Sequence, residues 1–210
     1  VPYIEGGGST TGLMDVDPLF QGKVAVGYPS IGAAGGFYTV AGQTSAVVAA
    51  ALAANTMLMS MRFNPASSRK AYVSKIRVQL GVATQGVAGG IAGTLGIQRY
   101  TAQTPTGGTQ RFPNRQFDTM GTASDMFDVR DSNAALTGTA PTWGTVVAVT
   151  LVPLVIVLTS GMVNTGNEWI YEPAHPTVLS PGDGLALRTQ VAMPATQTWV
   201  YSYTVHWEEK

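Results

Sequence analysis

The clearest pattern of apolar and polar positions lies at the far end of the chain. Trp199, Tyr201, Tyr203, Val205 and Trp207 take every second position, with Ser202, Thr204, His206 and Glu208 between them. Successive side chains of a strand point to opposite faces, so a period of two predicts a half-buried strand with its aromatic row in the core. A second alternation precedes it: Leu185, Leu187, Thr189, Val191 and Met193 against Ala186, Arg188, Gln190 and Ala192. Pro181-Gly182-Asp183-Gly184 supplies the turn ahead of that run, since proline presets φ and glycine takes positive φ freely. Met193-Pro194-Ala195-Thr196 breaks the pattern, and the two strands read as a closing hairpin.

Earlier in the chain, Tyr72, Ile76, Val78, Leu80 and Val82 share one face and Lys75, Arg77 and Gln79 the other, which predicts an antiparallel strand with one wet face. Met57, Met59, Met61 and Phe63 alternate with Leu58, Ser60 and Arg62. Shorter strands are expected at Val24 to Tyr28, from Gly35 to Val40, from Leu95 to Tyr100 and from Trp169 to Tyr171. Ser45 to Ala54 is open between a short helix capped by Thr44 or Ser45 and a strand. Thr145 to Leu158 is the most apolar run, and no charge falls between Trp143 and Val163, a length that could span a bilayer. Its Val, Thr and Ile content, Pro153 in mid-run and the lack of a flanking Lys/Arg cluster argue instead for two buried strands hinged at Pro153. That proline then belongs at a strand end or sheet edge, because it cannot donate to a ladder.

Residues 101–141 are rich in Thr, Gly, Asn, Asp and Pro. They predict a loop-rich insert with one short helix near Ser124 to Val129. Residues 1–22 read as an extended arm, because Gly6-Gly7-Gly8-Ser9 resists regular structure while Tyr3, Ile4, Leu13, Met14, Leu19 and Phe20 are spaced apolar anchors for an interface. Val1 is not an initiator methionine and no signal-peptide pattern follows, which leaves a processed terminus and mature-end numbering both open. About seven to nine strands, at most one or two short helices and no βα alternation give the fold class. It is all-β: an antiparallel β-sandwich, jelly-roll-like, over residues 23–210, with the N-terminal arm and long loops.

Composition sharpens this picture. Charged residues are 11% of the chain and balance, 12 basic against 12 acidic. That is about half the usual share and lacks the basic footprint of a nucleic-acid binder. A neutral surface rich in Thr, Gln, Ala and Gly is easiest to understand if partners cover much of it. The absence of cysteine excludes disulfides and thiolate chemistry.

Candidate chemistry is sparse. Of two histidines, His206 falls on the outer face of the last strand and His175 in a loop between Pro173 and Pro176. No G-x-S-x-G elbow and no His-x-His or H-E-x-x-H spacing occurs. Asp15, Asp17 and the carboxylates of Asp125 to Asp131 could take calcium, but the EF-hand spacing is missing and they read as turn and cap residues. The glycines from Gly86 to Gly96 do not fit a dinucleotide fingerprint, and Gly22-Lys23 lacks the first P-loop glycine. Glu208 and Glu209 read as a solvated terminal pair. The expectation is a protein that is not an enzyme, with no catalytic residues, cofactor or metal.

The order of segments YVSKIRVQLGVAT (72–84), GIQRYT (96–101), SPGDGLALRTQVAMP (180–194) and TWVYSYTVHWEE (198–209) resembles a group of phage and prophage virion structural proteins. These end in a P-G-[DE]-G turn, an arginine-bearing strand and W-[DE]-E, here Pro181 to Gly184, Arg188 and Trp207-Glu208-Glu209. The resemblance implies an accessory capsid or decoration role in the virion, assembled in the host cytoplasm. The expected partners are further copies of the chain, a trimer in the first instance, and other virion proteins such as the major capsid protein, with no nucleic acid or membrane. The alternative is a carbohydrate-binding or host-adhesion β-sandwich of a fibre or tail, for which Trp143, Phe112 and Phe117 in loops would be the stacking residues. A hydrolase is a minor third reading.

Overall fold

The computed structural model describes residues 36–48, 52–84, 91–101, 105–115, 124–138, 142–143, 152–158, 167–192 and 198–210. They form sixteen strands: β1 (Gly36–Gln43), β2 (Val47–Val48), β3 (Met57–Phe63), β4 (Ala71–Thr84), β5 (Ile91–Thr101), β6 (Pro105–Thr106), β7 (Thr109–Arg111), β8 (Asn114–Arg115), β9 (Met126–Asp131), β10 (Thr137–Gly138), β11 (Thr142–Trp143), β12 (Val152–Leu158), β13 (Asn167–Tyr171), β14 (Thr177–Leu179), β15 (Gly184–Thr189) and β16 (Thr198–Glu209). One seven-stranded sheet runs β13-β4-β16-β1-β8, with β14 also on β4 and β2 on β16; a second runs β11-β5-β15-β3-β9-β7, with β12 also on β5; β6 and β10 pair as a separate two-stranded sheet. Every pairing among the described residues is antiparallel.

The frame strands pair first with last and inward from there: β1 with β16, β3 with β15, β4 with β13 and β14, and β5 with β12. That nesting is an antiparallel ribbon wrapped round one core, the winding of a jelly roll. The expected all-β sandwich is therefore the observed fold. The core lies between the sheets, where Tyr38, Val40, Met59, Met61, Ile76, Val78, Leu185, Leu187 and the aromatic row of β16 are buried together. In β16 the alternation holds without a break, from buried Trp199 through Trp207 to buried Glu209.

The structure corrects several sequence expectations. β15 and β16 form no hairpin; β15 lies between β3 and β5 in one sheet and β16 between β4 and β1 in the other. Each strand has an apolar face, and burying both faces against each other across the core satisfies them better than edge pairing would. Tyr72 does not share the inner face with Ile76. The pairing of β4 with β16 shifts register between His206 and Trp207, so Ala71 and Val73 turn inward and Tyr72 outward. The helix expected near Ser124 to Val129 is strand β9, whose Met126 and Val129 are buried while its backbone pairs with β3. Pro153 pairs opposite Gly96 at the second position of edge strand β12, as its missing N–H requires. No helix among the described residues is long and apolar enough to cross a membrane.

The insert contributes strands as well as loops. β7 extends one sheet beyond β9 and β8 extends the other beyond β1, so residues 109–115 bridge both sheets along one flank. The sheet holding β3, β5 and β15 is buried on both faces: Ser60, Gln98, Tyr100 and Ala186 are as inaccessible as the core-facing Met61 and Leu187. Leu136 of the insert joins Met57, Tyr100 and Ala186 in a second small cluster on that outer side, and its N–H donates to the Met57 carbonyl at 2.9 Å.

Gly184 opens β15 where the Tyr100 ring and the Met61 carbonyl leave no room; a Cβ there would lie 2.6 Å from the carbonyl and closer still to the ring. Gly184→Ala must displace backbone or the buried Tyr100 hydroxyl from its hydrogen bond with Ser60. We expect a loss of about 1–3 kcal/mol, read as a lower midpoint in thermal or urea unfolding.

Candidate functional site

Four of the polar residues that the fold buries are carboxylates, Asp128, Asp131, Asp183 and Glu209. Asp131 ends β9 opposite Met59 and is 3% exposed. Arg111 of β7 donates to it through Nε at 2.7 Å and Nη2 at 3.1 Å, and the Tyr203 hydroxyl of β16 donates at 3.0 Å. Arg111 also donates to the Gln43 carbonyl of β1 at 3.0 Å. One carboxylate thus draws β7 and β16 onto β9, and Arg111 ties β1 in as well. Beside it the Tyr201 hydroxyl donates to the Leu58 carbonyl at 2.6 Å and to Ser132 at 3.2 Å. Gly42 makes room for this group, since a Cβ there would press on the Asp131 carboxylate and lie 2.5 Å from the Tyr203 ring. Burial raises the pKa of both tyrosines, and the Asp131 charge raises that of Tyr203 further; the hydrogen bond to Asp131 likewise raises that of Arg111. The hydroxyls therefore remain donors and the guanidinium remains charged.

Glu209 is the second such group. The period of two that buries the aromatic row of β16 places Glu209 on the same inner face, where it is 1% exposed. It accepts from Trp207 Nε1 at 3.0 Å, from Ser124 Oγ at 2.7 Å and from the Asp125 N–H at 3.0 Å, with the Arg69 guanidinium 3.5 Å away. Asp125 accepts from Ser67 at 2.5 Å, and Lys70 and Lys210 exchange backbone hydrogen bonds. The end of the last strand is tied to the β3–β4 connection and to the start of β9. The expected solvated pair is thus half wrong. Glu208 faces outward and pairs with Lys210 at 2.9 Å, whereas Glu209 is internal.

Asp183, also buried, organises the Pro181 to Gly184 turn. Its carboxylate accepts from the Ser180 N–H at 2.8 Å and from Arg99, while Gly182 adopts φ +86°. Phe63 donates to the Asp183 carbonyl at 2.9 Å and so fixes the turn on the end of β3. Asp128 is held by Arg130 at 2.7 Å. Of the carboxylates read from sequence as turn and cap groups, Asp128 and Asp131 are strand residues engaged with arginines, while Asp125 lies in the bend just before β9. Among the described residues no group of three or more metal-ligating side chains comes together.

The outer face of β4 and β16 is polar. Lys75 pairs with Glu172 at 2.8 Å, Arg77 and Gln79 donate to Glu168 at 3.0 and 3.1 Å, and Ser202 donates to Gln79 at 3.2 Å. A shallow trough of about 270 Å³ lies there, lined by Gln43, Gln79, Gly81, Val200 and Ser202 among others. His206 sits on this face as expected, its pKa lowered by burial and by the nearby Lys75 and Arg77 charges. His175 is exposed between the two prolines.

Among the described residues the exposed large apolar side chains are Phe112 (75%), Ile170 (52%), Val191 (47%) and Val178 (36%). Phe112 was legible as an exposed loop aromatic; Trp143 instead forms strand β11 opposite Tyr100. Tyr3, Ile4, Leu13, Met14, Leu19 and Phe20, the anchors of the arm, lie outside the described residues, as do Asp15, Asp17, Gly22, Lys23 and Phe117. Asp131, Arg111 and Glu209 are the groups that the sequence reading missed. For Glu209 the signal was present, since one more step of the period of two reaches it. Comparison of the chain with protein-family models, with curated proteins and with solved structures finds no match.

Proposed function

We propose that the chain is a non-enzymatic structural protein of a phage particle, a capsid decoration or cement subunit. It acts by self-association and by docking on neighbouring virion proteins, with the major capsid protein as the principal partner. The observation that carries this reading is how the jelly roll uses its polar groups. Its buried carboxylates are bound to arginines, hydroxyls and backbone N–H groups that fasten connections to the sandwich. The motifs on which the phage resemblance rests take part directly: Asp183 organises the turn, and Trp207 and Glu209 bond to each other. A low, balanced charge suits a surface covered by partners in a particle. Function would come from buried area, on the order of 1,600 Å² for one specific interface.

Addition of the purified chain to phage particles that lack it tests the reading. Saturable co-sedimentation at a fixed ratio to the capsid protein is expected, with protection of the particle against heat or chelator. Failure to bind at micromolar concentration would remove the decoration role.

One observation favours the alternative of glycan binding on a fibre or tail. Phe112 stands free to solvent as a sugar-stacking ring would. Glycan-array binding that is lost in Phe112→Ala would support it.

A further inference from the structure

Strand register puts four polar residues in one line across the outer face of the β13-β4-β16-β1 sheet. Glu168 lies opposite Gln79, Gln79 opposite Ser202, and Ser202 opposite Gln43. At roughly 4.8 Å per strand the line is about 14 Å long. It reads carboxylate, carboxamide, hydroxyl, carboxamide. Two of its steps are closed by hydrogen bonds: Gln79 Nε2 donates to Glu168 at 3.1 Å, and Ser202 Oγ donates to Gln79 Oε1 at 3.2 Å. Those two bonds orient the Gln79 amide plane, and Arg77 donates to the Glu168 end at 3.0 Å. Next along the strands Gly81 lies opposite Val200. Both are shorter than the side chains of the line, and the step down to them is the trough of about 270 Å³.

The line keeps hydrogen-bonding capacity toward solvent. A carboxamide has two N–H donors and two acceptor lone pairs. Gln79 uses one N–H and one lone pair within the chain. Ser202 uses its hydrogen and keeps its oxygen as an acceptor. The Gln43 carboxamide is exposed and makes no hydrogen bond among the described residues.

Charge on this face is neutralised within the chain, since Lys75 pairs with Glu172 and Arg77 with Glu168. An anionic ligand would have to break one of those pairs. A protein partner would need apolar area at the centre of its contact, and the line has none. Phe112 stands beside the Gln43 end. It follows Arg111, whose guanidinium donates to the Gln43 carbonyl at 3.0 Å, and it precedes β8, which pairs Asn114 with Thr39 of β1. Its ring is 75% exposed.

We infer that the line and its trough are a binding site for a neutral oligosaccharide, laid across the strands from Glu168 toward Phe112. Sugar hydroxyls both donate and accept, as the open groups of Gln79, Ser202 and Gln43 require, and the C–H face of a sugar ring suits an exposed aromatic ring. The inference rests on the glycan-binding alternative proposed above, and gives it an oriented polar site and a ligand without charge. A trough this shallow covers little of its ligand, so a Kd of about 1 mM is expected.

NMR titration of the full chain tests it. The neutral probes are hexasaccharides of glucose, of N-acetylglucosamine, of mannose and of galactose, and the charged probe is a heparin hexasaccharide. At least one neutral probe is expected to shift the amide resonances of residues 79–81 and 200–202, with an affinity unchanged by a tenfold rise in salt. Gln79→Ala and Gln43→Ala are each expected to weaken binding about three- to tenfold. Both residues are exposed, so circular dichroism should match wild type; Gln79→Val and Gln43→Val, with better strand formers, replace either variant that does not fold. Failure of every neutral probe at about 10 mM, tenfold above the expected Kd, would overturn the inference together with the glycan reading. Binding kept in both glutamine variants and lost in Phe112→Ala would overturn the inference and leave the glycan reading standing. Tighter binding of heparin, or binding that weakens as salt rises, would overturn the neutral ligand and with it the inference.

Discussion

Arg111→Ala is expected to destabilise the fold by about 3–5 kcal/mol, and Asp131→Ala by less. The asymmetry follows from exposure. The Asp131 carboxylate is 3% exposed and the Arg111 side chain 31%. Without Arg111, an internal negative charge keeps only the Tyr203 hydroxyl as a partner, and desolvation is no longer offset. Without Asp131, the guanidinium can turn toward water, and the main cost is the Tyr203 hydroxyl, which is buried with no acceptor. The double variant should cost less than the sum of the two, because the pair is coupled through one site. Arg111→Lys should rescue only part of the loss, since one ammonium cannot reproduce the forked contact with both carboxylate oxygens. Urea unfolding of the four proteins measures these differences. Equal, additive and small losses would show that β7 is not held through this carboxylate.

The second large effect is expected at the end of the chain. Glu209→Ala leaves Trp207 Nε1–H and the Asp125 N–H without their acceptor and takes from the Arg69 guanidinium the nearer of its two carboxylates, and should cost about 3 kcal/mol. Glu209→Gln keeps one acceptor oxygen but turns an amide NH2 toward other donors, so an intermediate loss is expected. Glu208→Ala is the control within the same motif. Its carboxylate is 16% exposed and pairs with Lys210, itself 59% exposed, and pairs open to water on one side contribute about 0–1 kcal/mol. Equal losses at positions 208 and 209 would show that charge near the terminus matters and that the inward phase of β16 does not.

The sequence was most informative where a strand is long and one-faced. The row from Trp199 to Trp207 could be read by alternation alone, because a fully half-buried strand imposes a period of two on every position. The same rule reached Glu209. The default that charged residues at a strand end face water overrode it, and only the spatial neighbours Ser124, Asp125 and Arg69 show why the carboxylate can stay inside. Alternation gives the face of a strand and not its neighbour. That is why β15 and β16 could be read as a hairpin although they lie in different sheets. The bulge that turns Tyr72 outward is a one-residue shift, invisible in a pattern without its partner strand.

The insert was hardest to read. β6, β7, β8 and β10 are two or three residues long, too short to show any period. β9 carries Asp128, Arg130 and Asp131 where a sandwich strand would usually show apolar residues. Its clamp joins Arg111 to Asp131 across a turn-rich stretch and reaches Tyr203 from the other end of the chain. No spacing rule links those three residues. They meet because β9 extends one sheet and because β16, in the facing sheet, sends its aromatic row across the core toward it.

The central claim is that this jelly roll works by assembly. The mass of the purified chain in solution, taken by sedimentation velocity at micromolar concentration and physiological salt, tests it most directly. One closed species at three times 21.9 kDa, unchanged on tenfold dilution, is the predicted result. A single dispersed species at 21.9 kDa that also fails to co-sediment with phage particles would contradict the account.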